Sequence, residues 1–226
     1  MGKKKILLAF VFFAAISLSF AEGERKLSLD LGGLLSLGSS MGSRFEDTFF
    51  FAADTPYPFQ PEERIFRSLN LALDLFARLH LDFLTHNLCL QGNIRFCSNS
   101  IGGSFTNLKG SSSNFSFRYK SIDFPLLVVY ELHFGRLILM PECGVYLSVP
   151  VGKVKFPSEF GPSRKIDTFA VFGAQAGISI AYSAGPGALV GGIRYVNDFT
   201  SFSVEGGPFM LRRGLYISGG YIIPLN

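Results

Sequence analysis

At 226 residues the chain is long enough for a single domain. It is 48% hydrophobic and 15% aromatic, with a mean hydropathy of +0.32, which argues against an ordinary soluble secreted protein. The net charge is +4, but Lys3, Lys4 and Lys5 supply three of these charges; the remainder has 18 basic against 17 acidic residues and carries no electrostatic footprint for nucleic acid.

Those three lysines precede an apolar run from Ile6 to Ala15 that continues to Phe20. Ser19-Phe20-Ala21 then sets small residues at the −3 and −1 positions before Glu22. This is the pattern of a secretory signal peptide over residues 1–21, too short for a spanning anchor. Residues 22–226 are expected to form one domain.

Past Ala21 there is no uninterrupted run of the ~20 apolar residues that a spanning helix needs. The longest stretches, such as Phe124 to Tyr130, are short and contain Pro125. A hydrophobic exported chain of this kind can satisfy its backbone in lipid by closing a β-barrel.

In chain order, a first strand is expected near Lys26 to Leu37, where Leu27, Leu29 and Leu31 alternate with Ser28, Asp30 and Gly32. The second, Leu69 to Phe83, carries the clearest signal: Leu69, Leu71, Leu73, Leu75, Ala77, Leu79, Leu81 and Phe83 occupy alternate positions without a break. Period two puts these on one face and Asn70, Asp74, Arg78, His80 and Asp82 on the other. Soluble strands average ~5–6 residues, whereas a tilted membrane strand needs ~9–11 in hydrocarbon alone. A third strand spans Leu88 to Cys97. The fourth covers Phe115 to Phe134, with Phe115, Phe117 and Tyr119 outward and a change of parity, hence a β-bulge, near Ser121. The fifth covers Leu137 to Val149, the sixth Thr168 to Tyr182, the seventh Ala188 to Val196 and the eighth Met210 to Ile223.

The connections alternate between two classes. Those at Thr85-His86-Asn87, Gly135 and Ser183 to Gly187 are short; those at Ser39 to Arg67, Ser98 to Asn114, Gly152 to Lys165 and Asn197 to Phe209 are long and polar or rich in Gly and Ser. Short periplasmic turns and long extracellular loops are the asymmetry of an outer-membrane barrel. The fold class expected is therefore all-β: a closed antiparallel transmembrane β-barrel of about eight strands. Each strand descending to the short-turn side also places a ring near its end, Phe83, Phe134, Tyr182 and Tyr221, as an aromatic girdle requires.

Ser121-Ile122-Asp123-Phe124-Pro125-Leu126-Leu127-Val128-Val129-Tyr130 resembles the fourth strand of a porin-like family of small outer-membrane β-barrel proteins. Glu142-Cys143-Gly144-Val145-Tyr146 and Gly191-Gly192-Ile193-Arg194-Tyr195 are similar to its fifth and seventh strands. With strand order included, the likeness covers nearly all of the mature chain. It implies the barrel fold, residence in the bacterial outer membrane and dependence on the barrel insertion machinery, but the family is functionally mixed. Many members end in an aromatic residue read by that machinery. Here the sequence ends Ile223-Pro224-Leu225-Asn226, and Tyr216 and Tyr221 are the rings nearest that end.

The polar phase of the strands collects Asp74, Arg78, His80, Asp82, Arg95, Arg118, Lys120, Glu131, His133, Glu142, Arg194 and Arg212 as a lumen-facing set. Either they line a selective passage, or they pair with one another to fill a lumen just wide enough for side chains. Interleaved signs favour the second. Three cysteines, Cys89, Cys97 and Cys143, are read as free thiols. Cys89 and Cys97 lie about 26 Å apart on one extended strand at ~3.3 Å per residue, too far to bridge. No clustered zinc spacing appears, and no metal, cofactor or catalytic residue is expected. The serine hydrolase arrangement has no candidate, since no serine lies two residues after any histidine.

The first long connection holds Phe49, Phe50, Phe51, Tyr57 and Phe59 among Pro56, Pro58 and Pro61. These rings are either a contact patch for an extracellular ligand or a cover over the barrel mouth or membrane surface. Three functions are open at this point: a non-enzymatic barrel with surface-exposed loops, a porin-like passive conduit for small or hydrophobic solutes, and a soluble periplasmic carrier of lipocalin type. In the first two, outer-membrane lipid is the obligate partner.

Overall fold

A computed structural model of the protein describes residues 28–40, 69–81, 87–106, 112–155, 163–200 and 212–225. All regular structure among them is strand: β1 (Leu29–Ser40), β2 (Leu69–His80), β3 (Leu88–Thr106), β4 (Ser112–Tyr130), β5 (Leu132–Phe134), β6 (Leu137–Lys155), β7 (Arg164–Lys165), β8 (Val171–Ala184), β9 (Gly187–Asp198) and β10 (Arg213–Leu225). β5 continues β4 past Glu131, and β7 adds two residues alongside the far end of β6. The eight staves pair antiparallel in the circuit β1-β2-β3-β4-β6-β8-β9-β10. β10 returns to β1 from Leu29↔Leu225 to Ser40↔Gly214, so the sheet has no free edge. That closure lets a sheet sit in hydrocarbon with its backbone satisfied.

The inside-out distribution follows the period of two. On β2, Leu69, Leu71, Leu73 and Leu75 are exposed, whereas Asn70, Ala72, Asp74 and Phe76 are buried. Leu35, Val145, Ile180, Leu189 and Ile217 continue the exposed apolar face around the wall. Buried carboxylates beneath exposed leucines invert the usual arrangement of a protein in water. The outer face is a lipid-facing surface; a soluble carrier would need those leucines shielded.

Two hairpins close at one end of the barrel. Phe134 pairs Leu137 across Gly135-Arg136, and Ala184 pairs Gly187 across Gly185-Pro186. Gly135 and Gly185 have φ of 64° and 63°, the left-handed start of a two-residue turn matched to strand twist. This is the turn end of the barrel.

Three inward rings fit because a glycine faces each across the ladder. Phe76 is paired with Gly32, Tyr216 with Gly38 and Tyr146 with Gly173. A Cβ at those glycines would lie 2.2 Å, 2.4 Å and 2.3 Å from the respective ring. An aromatic laid over a cross-strand glycine fills a narrow lumen without prising the strands apart.

Several expectations are corrected. β3 and β6 run on to Thr106 and Lys155, so the segments read as loops at Ser98 to Asn114 and Gly152 to Lys165 are partly strand. Cross-strand pairing continues there, from Ser98↔Lys120 to Thr106↔Ser112, and β-structure persists wherever a partner does. Parity does not change at Ser121: Tyr119, Ser121 and Asp123 are all buried. The irregularity instead separates Arg118 from Lys120 in the pairing with β6, where Gly152 adopts φ 84°. Because β6 absorbs the shift, the ring of Tyr119 turns inward, while Arg118 and Lys120 are exposed rather than lumenal. His133, also expected inside, is exposed beside the turn end because the stave finishes there.

Candidate functional site

The period of two sends one side chain in every pair into a lumen bounded by eight backbones, and polar residues dominate the described inner surface. Farthest from the turn end, Arg212 is the hub. Its Nη1 donates to Asp123 Oδ2 at 2.9 Å, and its Nε lies 3.5 Å from Asp198 Oδ1. The Arg212 backbone N–H donates to Asp198 Oδ2 at 2.8 Å, and the Tyr146 hydroxyl donates to the same carboxylate. Asp123 also accepts from Ser148 Oγ at 2.5 Å, Ser121 Oγ at 2.9 Å and Cys97 Sγ at 3.3 Å. The guanidinium sits 5.2 Å from the Tyr146 ring centroid, a cation–π contact.

The middle tier centres on Asp74, which is wholly buried. It accepts from Arg95 Nε at 2.7 Å and Asn93 Nδ2 at 3.2 Å, with Arg194 Nη1 at 3.5 Å. Arg194 Nε donates to Glu142 Oε1 at 2.7 Å, and Arg95 Nη1 donates to Gln175 Oε1 at 3.0 Å. The Nη2 atoms of Arg95 and Arg194 and Nε2 of Gln175 have no acceptor among the described residues, which makes this tier the natural place for buried water.

Nearest the turn end, Arg78 Nη1 donates to Glu131 Oε1 at 2.8 Å, and its Nε and Nη2 donate to Gln91 Oε1 at 3.0 Å and 2.8 Å. Beside this tier Leu34, Phe76, Leu127, Val129, Met140, Ala181, Val190 and Ile222 pack as an apolar cluster across the lumen. A second small knot lies against Arg78. His80 Nε2 is 2.9 Å from Asp30 Oδ2, and His80 Nδ1 is 3.3 Å from Cys89 Sγ.

Of the lumen residues expected from sequence, Asp74, Arg78, Arg95, Glu131, Glu142, Arg194 and Arg212 are buried here and paired in three tiers. Asp82 lies outside the described residues. Phe134 and Tyr182 are exposed at the turn end. Tyr221 is half-buried there, its hydroxyl donating to the Ala184 carbonyl at 2.6 Å. Phe83 and the loop rings Phe49, Phe50, Phe51, Tyr57 and Phe59 lie outside the described residues.

Sequence reasoning omitted Asp123, Asp198 and Asp30 from the charged set. Asp30 and Asp123 occupy the inward phase of their strands, so parity alone could have found them. Asp198 could not be found that way, because it fell in an expected loop that is in fact the last residue of β9. The grouping of His80, Cys89 and Glu131 was also missed. His80 and Cys89 are direct partners in the β2–β3 ladder, and this pairing was readable only once the hairpin register was known.

The outer membrane protein OprG from Pseudomonas aeruginosa superposes with a TM-score of 0.52 at 12% identity, over 87% of this chain and 95% of that one. The chain has the fold of an outer-membrane β-barrel. Weaker similarity is found to Neisserial surface protein A (TM-score 0.46, 14% identity, 88% and 99% covered) and to the outer membrane protease OmpT from Escherichia coli (0.46, 10%, 88% and 95%). No protein-family model matches the sequence, and no curated protein matches it. At these identities the likeness speaks for architecture alone. Within that architecture the barrel's described lumen is a packed and charge-paired interior, as expected where eight strands leave room only for side chains.

Proposed function

We propose that the protein is a non-enzymatic, integral barrel of the bacterial outer membrane that anchors surface-exposed loops for contacts outside the cell. The observation that carries this reading is the filled lumen: the apolar cluster around Phe76, Leu127 and Met140, with Arg78, Arg95, Arg194 and Arg212 each held by a carboxylate. A passage would need unobstructed width or mobile charges along its length, and tightly paired buried ions provide neither. The wall supplies the other half of the argument, because its exposed leucines demand lipid as their solvent. Outer-membrane lipid and the barrel insertion machinery are then its assembly partners, and an extracellular ligand is the partner for residues 49–59.

Planar-bilayer recording tests the reading directly. The reconstituted barrel is expected to give no sustained conductance; reproducible conductance altered by Arg78 or Glu142 substitution would replace this function with that of a conduit. Deleting residues 49–59 is expected to abolish attachment of displaying cells to immobilised extracellular macromolecules while leaving heat-modifiable gel mobility intact.

A further inference from the structure

Among the described residues, one trio from different strands brings metal-ligating atoms together: His80 on β2, Cys89 on β3 and Glu131 between β4 and β5 have ligand atoms all within 4.8 Å of one another. The geometry is close to that of a small coordination shell. In a tetrahedral zinc site with ordinary bond lengths, a ligating sulfur and an imidazole nitrogen stand about 3.6 Å apart. Cys89 Sγ and His80 Nδ1 stand 3.3 Å apart.

The surroundings are arranged as metal sites arrange theirs. The other imidazole nitrogen, Nε2, faces Asp30 Oδ2 at 2.9 Å. A proton on Nε2, donated to that carboxylate, leaves the Nδ1 lone pair directed at Cys89, the carboxylate–histidine–metal relay of many metal centres. Arg78 holds Oε1 of Glu131 at 2.8 Å, whereas Oε2 has only the longer 3.4 Å contact to the half-exposed His133 Nε2, which an ion can replace. With Cys89 as thiolate, the two carboxylates and the thiolate outweigh the single guanidinium by two negative charges, which a divalent cation neutralises.

The same atoms are ordered like a thiol nucleophile with its base and orienting carboxylate. That use fails on access, since Cys89 has no exposed surface. An ion needs far less room than a substrate, and His80 and His133, with side chains 16% and 50% exposed, mark an approach from the turn end. We propose that His80 Nδ1, Cys89 Sγ and Glu131 Oε2 bind a borderline-soft divalent metal ion of the zinc class, with Asp30 as a positioning residue. Binding replaces the thiol proton, which passes to solvent, and ties β2, β3 and the end of β4 together at the turn end.

Cobalt(II) titration of the detergent-solubilised full mature chain tests this, followed by competition with zinc(II). The expected result is a thiolate-to-cobalt charge-transfer band saturating at one cobalt per barrel and erased by zinc. Cys89→Ser removes the band, and Asp30→Asn weakens cobalt binding about 10–100-fold. The double variant Cys97→Ser/Cys143→Ser keeps it, which places the signal on Cys89 without touching the site. Heat-modifiable mobility confirms that each protein is folded. Absence of the band from the folded double variant would overturn the proposal, as would a band that survives Cys89→Ser or an Asp30→Asn titration matching the parent.

Discussion

Arg212 and Asp123 meet across the lumen at 2.9 Å although 89 positions separate them in the chain, and both are almost wholly buried. The pair joins β4 to the start of β10, strands that are not neighbours in the sheet. Arg212→Leu leaves Asp123 and Asp198 as uncompensated buried carboxylates. It is expected to destabilise the barrel by about 3–5 kcal/mol, read as a lowered urea midpoint in micelles. Arg212→Lys should recover only part of that, because an ammonium cannot serve two carboxylates and a ring as a guanidinium does.

Leu75, half exposed in the middle of β2, tests what solvent the outer face meets. Leu75→Arg is expected to cost about 2–4 kcal/mol in lipid vesicles, the penalty of a cation near the bilayer midplane. If unfolding titrations in vesicles show no loss, this face looks into water and the membrane assignment is wrong.

Gly32 and Phe76 form a pair in which side-chain size is shared. Gly32→Ala brings a methyl to within 2.2 Å of the Phe76 ring and is expected to destabilise by about 1–3 kcal/mol. Phe76→Leu in the same chain should return part of the loss, since it vacates the space the methyl needs. A double-mutant cycle measures this coupling, and simple additivity of the two losses would contradict it.

The three cysteines report orientation chemically. Cys143 is exposed on the outer wall, whereas Cys89 and Cys97 are buried in the lumen. An apolar maleimide is expected to label the folded barrel once, at Cys143, and the unfolded chain three times. Mass spectrometry counts the adducts, and labelling of Cys97 in the folded protein would contradict its burial in the lumen.

How much of this was legible beforehand depends on the range of the interaction involved. Leu69 to Leu79 declared both faces of β2 because strand periodicity is local: each side chain's face is set by its own parity. The Phe115, Phe117 and Tyr119 phase was misread at Tyr119, since a tyrosine suits a lumen as well as a lipid boundary and only β6 reveals which. The extra length of β3 was hidden for a related reason. Polar, glycine-bearing residues such as Ser100 and Gly103 look like loop until Arg118 and Phe115 are seen opposite them.

By itself, then, the order of residues determined that the chain alternates between an apolar and a polar surface, how many times it crosses, and that the polar surface holds both signs of charge. Hairpin register brought Arg95 opposite Asp74 and His80 opposite Cys89, and only closure of the barrel decided that Arg212 meets Asp123, that Arg194 reaches Asp74 and that Arg95 reaches Gln175. Parity states which way a side chain points, whereas its partner across a lumen depends on the register of all eight strands together.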